Sequence, residues 1–299
     1  MAVAAAARFT GSSVRRSEDP RILTGRGNYI DDIKLPGMVH SAFLRSPVAH
    51  ARITGVDVSA AREAEGVLAV LTGFEIRELV TPGGYGIGGL FGVERPAYSA
   101  LAIDKVCLVG DPIALVVAQT RHLAEDACEL IEVDYDELPA VTTIDQALDP
   151  STQPVFEDLG TNVIAPPETK VFGDVDDAFA RADRVVRARL SQHRYQNVPM
   201  ECRGVVVSYD PASEEYLIWS ANQGVQPTRQ AFATRLGVPP EKVRVRAGDI
   251  GGSFGLKIGA SREDVAVAVA SRMLERPVKW FEDRFEHMCA SGQARDERV

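Results

Sequence analysis

Cysteine is scarce and scattered. Cys107, Cys128, Cys202 and Cys289 are the only four in 299 residues, and no two stand at the close spacing that a zinc site or an iron–sulfur cluster requires. The chain alone encodes neither, and reduced thiols in a cytoplasmic protein are the expectation. No stretch approaches the roughly 18 consecutive apolar residues of a membrane-spanning helix. The opening MAVAAAARFT has no basic residues ahead of its short alanine run, so a secretory leader is not expected. Basic side chains are outnumbered, 33 against 42 acidic ones, for a net charge of -9. Such a balance provides no overall basic field to gather nucleic acid or anionic lipid. Internal repeats and low-complexity tracts are missing too.

What is present suits folded globular structure. Hydrophobic residues make up 45% and charged residues 25%, and the length allows about two domains at roughly 100 to 200 residues each. Residues 1–20 read as an N-terminal arm, 21–140 as a first domain, 141–167 as a proline- and threonine-rich linker, and 168–299 as a second domain. In the first domain, strands are expected at Met38–Leu44, Ile53–Val58, Val67–Leu71, Ile113–Ala118 and Ile131–Tyr135. Helices are expected at Ala60–Glu65 and at Thr120–Leu130, the latter with Leu123, Ala127 and Leu130 on one face. The second domain is expected to hold a helix at Val175–Ala182, a strand at Val185–Leu190, a hairpin from Arg203–Tyr209 and Tyr216–Ser220, and a helix over Pro227–Leu236.

The most informative stretch runs from Val243 to Met273, VRVRAGDIGGSFGLKIGASREDVAVAVASRM. A strand with two-residue alternation leads into a glycine turn and then an apolar helix, for which Ser261 and Asp264 make a capping box. Gly251, Gly252 and Gly255 around Ser253 and Phe254 let the backbone adopt positive φ and approach a ligand closely. Such a loop presents N–H groups to an anion or an oxo group at the mouth of a helix. Gln223 follows another strand about thirty residues earlier, so its amide and the loop can face one ligand across neighbouring strand ends. The residues alone leave open an anionic cofactor or a plain structural turn.

Other motifs carry less. GYGIGG at residues 84–89 matches the dinucleotide glycine pattern, but neither an entering strand nor a leaving helix frames it, which favours a surface loop. His40 and His50 lack partners at metal-ligand spacing. The acidic side chains Glu125, Asp126, Glu129, Glu132, Asp134, Asp136 and Glu137 read as a solvated face.

Longer blocks carry a resemblance. RSEDPRILTGRGNYIDDIKLPGMVHSAFLRSPVAHARI and VGDPIALVVAQTRHLAEDACELIEVDYDELPAV resemble the a/b hammerhead domain of the xanthine dehydrogenase, aldehyde oxidase and aerobic carbon monoxide dehydrogenase family. HRYQNVPMECRGVVV, SANQGVQPTRQAFATRLGVPPEKVRV and GDIGGSFGLK resemble the first molybdopterin-binding domain of its large subunit. The resemblance implies an α+β fold, hammerhead domain first and an incomplete molybdopterin-binding domain second, over about residues 13–299. It implies that Gln223 hydrogen-bonds the apical oxo ligand of molybdenum and that Gly251, Gly252, Ser253, Phe254 and Gly255 form the loop at the pterin dithiolene. No residue here is then a direct metal ligand, because the dithiolene holds the molybdenum. The implied cofactor is molybdopterin, the cytosine dinucleotide being one of its forms. An iron–sulfur small subunit with 2Fe-2S clusters and an FAD-binding medium subunit are the implied partners.

The family chemistry is hydroxylation with oxygen derived from water. Its catalytic glutamate lies beyond residue 299, as does the second cofactor-binding domain, so no catalytic residue is expected here and activity requires the remaining part of the subunit. By the resemblance, Ile258 after Lys257 stands where xanthine and aldehyde enzymes often carry an acidic residue, so purine recognition through that carboxylate is not expected. Two other readings are a non-catalytic remnant or assembly module with the same fold, and a nucleotide-binding protein using GYGIGG.

Overall fold

A computed structural model describes residues 9–84, 96–164 and 171–298. In chain order its strands are β1 (Val39–Arg45), β2 (Ala51–Asp57), β3 (Val67–Thr72), β4 (Lys105–Val106), β5 (Pro112–Ala118), β6 (Glu132–Glu137), β7 (Ser191–Gln192), β8 (Tyr195–Gln196), β9 (Gly204–Asp210), β10 (Glu215–Ser220), β11 (Val243–Arg246), β12 (Val278–Phe281), β13 (Gln293–Ala294) and β14 (Glu297–Arg298). Seven of them form one mixed sheet in the order β11-β10-β9-β12-β1-β5-β3, and β4-β2-β6 form a smaller one. The large sheet draws on both halves of the chain. They meet at the parallel pair β1 and β12, where Val39 is opposite Val278 and His40 opposite Lys279.

The composition of β5 explains its place. PIALVVA is apolar throughout and every residue is buried, the mark of a strand covered on both faces. Leu115 and Val117 point into a core shared with Val39, Phe43, Val205, Phe232 and Trp280, while Ala114, Val116 and Ala118 face a second core with Ala61, Ala124 and Ala127. The helix Arg262–Leu274 lies on the shared core with residues 262 through 271 all buried. Its Val–Ala repetition keeps side chains small, which lets a helix buried all round sit close to the sheet. The expected capping box is present: Ser261 N donates to Asp264 Oδ2 at 2.9 Å and Asp264 N to Ser261 Oγ at 3.1 Å.

Most expected elements recur within a residue or two, and the departures have physical reasons. Val185–Leu190 is not a strand: residues 184–190 are all exposed and pair with no other strand among the described residues, and alternation without a ladder partner does not make a strand. Leu130 is 45% exposed because the helix ends at Cys128, and Ala124, Ala127 and Cys128 fill the buried face. The stretch between residues 141 and 167 holds a five-residue helix, Ile144–Leu148, capped by Thr143 and Gln146, too short to show a period. The GYGIGG loop lies outside the described residues apart from Gly84.

Burial pushes the Asp264 carboxyl up to about 7, and the neighbouring Glu263 carboxylate adds to the effect. Because the folded-state value lies above the unfolded one, the stability contributed by Asp264 is full below about pH 4 and is lost as pH rises through about 7. Wild-type Tm is therefore expected to lose this contribution between about pH 4 and about pH 7, and Asp264→Asn, which keeps an acceptor for Ser261 N but cannot ionise, is expected to remove that part of the slope. Parallel Tm series at fixed ionic strength check this; equal slopes would refute it.

Candidate functional site

β10 and β11 run parallel, with Tyr216 opposite Val243 and Trp219 opposite Arg246, and the helix Val225–Leu236 connects them. Parallel strands joined by a crossover helix release their carboxyl ends on the same side, where such sheets place ligands. Gln223 leaves β10 there and the glycine loop leaves β11. The two meet as the sequence leads one to expect. The side-chain oxygen of Gln223 accepts from Gly255 N at 2.8 Å and from the Ser253 hydroxyl. Since a backbone N–H can only donate, that atom is the amide oxygen, and Nε2 is left as a donor with no partner among the described residues. Gln223 N in turn donates to Lys257 O at 2.8 Å, fixing the backbone from which the amide projects.

The loop has the anticipated backbone. Gly252 and Gly255 have φ of 97° and 95°, and Phe254 holds a left-handed φ of 55°, which costs a non-glycine residue about 1–3 kcal/mol. Asn197 Nδ2 holds it there, donating to Phe254 O at 2.9 Å, and the Phe254 ring is 67% exposed. Gly251 is required for space: a Cβ there would lie 2.4 Å from Glu201 Cβ. The loop is, however, less open than expected. Gly251 N donates to Glu201 and Gly255 N to Gln223, while Leu256 N donates to Ser253 O and Lys257 N to Ser253 Oγ. The amides of Gly252, Ser253 and Phe254 remain without partners among the described residues. Nor does the loop sit at a helix mouth, since the next helix starts at Arg262 and caps itself through Ser261 and Asp264. The free donors are loop amides and one glutamine amide.

Sequence reasoning missed Glu201. Its Oε2 accepts from Gly251 N at 2.8 Å and from Lys257 Nζ at 3.0 Å, and its Oε1 from Ile30 N at 3.1 Å. One carboxylate thus joins both ends of the glycine loop to the N-terminal part of the chain. The Lys257 side chain is fully buried, and burial pulls its ammonium below the ordinary lysine value, with Glu201 opposing. A lone glutamate in a connecting segment has no period or spacing by which sequence could reveal this role.

Behind the loop lies a buried ionic network. Arg203 donates to Glu282 from Nε at 3.0 Å and from Nη2 at 2.6 Å, and to Glu263 from Nη2 at 3.1 Å. Arg45 joins Glu263 at 2.8 Å and Glu286 at 2.9 Å. His287 places Nδ1 3.0 Å from Glu282 and Nε2 2.7 Å from Asn197 O. Burial would raise the Glu282 carboxyl, but Arg203 and the His287 hydrogen bond outweigh it and hold it at about 2. Cys202, Glu282 and His287 lie close enough together to suggest a metal site. Both Glu282 oxygens, though, already accept from Arg203, with Ser291 adding a further donor, and a cation would be set against a guanidinium. Their chemistry is that of a satisfied network. Neither His40 nor His50 joins the site; His50 Nδ1 lies 2.8 Å from Pro139 O. Glu132, Asp134, Asp136 and Glu137 are exposed, as a solvated face should be.

An α+β body with a glutamine amide and a glycine loop at the ends of parallel strands is a class of arrangement whose free N–H donors can hydrogen-bond an oxo group or an anion. The comparisons with known proteins give this class its family. Residues 24–139 match the aldehyde oxidase and xanthine dehydrogenase a/b hammerhead domain, and residues 155–299 match the molybdopterin cofactor-binding domain. The chain is 38% identical over 293 residues to the 6-hydroxypseudooxynicotine dehydrogenase complex subunit gamma of Paenarthrobacter nicotinovorans, and 37% identical over 298 residues to the carbon monoxide dehydrogenase large chain of Afipia carboxidovorans. Each match covers 96% of this chain and 36% of the relative, so the chain spans about a third of their length. The structure superposes on quinoline 2-oxidoreductase from Pseudomonas putida 86 with a TM-score of 0.86 and 38% identity, over 96% of this chain and 36% of that one. The chain belongs to the xanthine dehydrogenase, aldehyde oxidase and carbon monoxide dehydrogenase family of molybdopterin-binding large subunits.

Removing one partner of a buried pair strands the other charge. Glu201→Gln is expected to cost about 3–5 kcal/mol in urea unfolding and to speed amide exchange at Gly251, whereas adding Lys257→Met, which removes the stranded ammonium while the glutamine oxygen still accepts a backbone N–H, recovers part of the loss. A single substitution as costly as the double one would show that the pair is not what holds the loop ends.

Proposed function

We propose that these residues are the front portion of a molybdenum hydroxylase large subunit, which oxidises a small substrate with oxygen derived from water. The observation that carries the reading is the Gln223–Ser253–Gly255 junction. It consumes the amide oxygen of Gln223 and turns its Nε2 outward beside three unpartnered loop amides. A molybdopterin cofactor fits this donor set, which offers hydrogen to oxo and pterin acceptors and contains no competing carboxylate. Gln223 and the loop from Gly251 to Gly255 would hold it, and Phe254 would supply an apolar wall for a flat or small substrate. When bound, the cofactor supplies two-electron oxidation chemistry that no side chain possesses. This chain's own share is orientation: donors fixed before the cofactor arrives need no rearrangement during reaction.

Carbon monoxide, aldehydes and N-heterocycles are the substrate classes of this reading; Ile258 in place of an acidic residue argues against purines. The catalytic glutamate is assigned to polypeptide following residue 299. Iron–sulfur and FAD-binding subunits carry the electrons away, and the cytosine dinucleotide is one form the pterin can take. No helix among the described residues is long and apolar enough to cross a membrane, in keeping with a cytoplasmic assembly. A second reading is a non-catalytic module with the same fold.

The test is metal analysis of the chain produced together with the remaining large-subunit polypeptide and the two partner subunits. Stoichiometric molybdenum is expected, and its absence sinks the proposal. Gln223→Ala in that assembly is expected to lower turnover about a hundredfold, by analogy with loss of one preorganised donor, while the 299-residue chain stays folded and loses only the two loop hydrogen bonds, about 1–3 kcal/mol. Molybdenum bound without turnover on any of the three substrate classes would favour the non-catalytic module.

A further inference from the structure

Residues 184–190, Arg-Val-Val-Arg-Ala-Arg-Leu, have the alternation of a strand and no strand to pair with. Val186 is 90% and Leu190 62% exposed. Directly after them β7 pairs antiparallel with β14, with Ser191 opposite Arg298 and Gln192 opposite Glu297. That register has a direction. Continued in that register, each residue beyond Arg298 would step one residue back along the chain from Leu190, which would set polypeptide leaving β14 beside residues 190 to 184.

We propose that residues 184–190 form a docking strand whose partner is the polypeptide following β14, paired antiparallel in the register that β7 and β14 set. The inference rests on the reading of the chain as the front portion of a longer large subunit. Three observations favour that occupant. The relatives carry nearly two thirds of their length outside the matched part. The site lies where β14 delivers further chain, with Arg298 anchored by Asp145 through Nη2 to Oδ2 at 2.8 Å. The strand has two chemically different faces, Arg184, Val186, Ala188 and Leu190 on one, apolar after its first residue, and Val185, Arg187 and Arg189 on the other. A partner with apolar residues opposite the first set and carboxylates opposite the arginines satisfies both, while ladder hydrogen bonds satisfy the backbone.

Amide hydrogen exchange distinguishes the outcomes. It is measured on the 299-residue chain and on the same chain extended by the segment, about ten residues and so a strand's length, that follows the matched part in the Paenarthrobacter nicotinovorans gamma subunit. Exchange across residues 184–190 is expected to slow at least about tenfold in the extended chain only. Val186→Asp with Leu190→Asp should restore fast exchange there and leave β5 protected, since neither side chain is buried. Unchanged exchange on extension overturns the proposal, as does protection that survives the double substitution. Protection that appears in the unextended chain and grows with concentration overturns it in favour of a second copy. No cofactor enters this test, so a failed molybdenum analysis and a failed strand pairing are separate results.

Discussion

Arg203 is the hinge of charge on which the molecule depends. Its guanidinium is 6% exposed and lies between Glu263 on the buried helix and Glu282 after β12. Such an ion survives burial only with its partners in place; losing one is a loss of about 3–5 kcal/mol, a large part of a domain's net stability. Arg45, at the end of β1, shares Glu263 with it, and Arg262 reaches back to Asp111 near β5. Carboxylates and guanidiniums from the two sequence halves therefore interlock across the seam of the sheet. Trp280 lies among them, edge-on to Phe43 at 5.3 Å and with Arg203 5.4 Å from its ring centre. The hammerhead half acts as a wall of the same core.

From that network the order passes outward. His287 connects Glu282 to the Asn197 carbonyl, and the Asn197 side chain fixes Phe254 in its left-handed conformation. By another route Glu201 ties Gly251 and Lys257 together, and the Lys257 carbonyl holds Gln223. Both routes end on the loop. The exposed tip is thus positioned by buried groups, so its donors are set in place by the fold itself.

How much of this was legible follows from distance along the chain. The glycine loop, Gln223 and the capping box of Ser261 and Asp264 are local patterns, and they can be read because turn chemistry and amphipathic period act over a few residues. The meeting of Gln223 with Gly255 followed from two parallel strands and one crossover. Glu201 could not be found that way, for its three donors come from residues 30, 251 and 257. The continuous sheet was equally hidden, because nothing in VHSAFLR names VKWF as its neighbour. At Val185–Leu190 the local pattern predicts a strand that the structure does not form, because strand formation is a property of two segments.

The parallel pairing of β1 with β12 has a consequence in time. β1 emerges from the ribosome early and can pair at once with β5, yet its other edge waits for residues 278–281. Arg276, which donates to Gly37 O at 3.0 Å, stands 239 residues away. Contacts of such separation close late and slowly. During synthesis the first half thus carries an unpaired central edge until the second half arrives, the kind of surface that exposes a partly folded chain to aggregation.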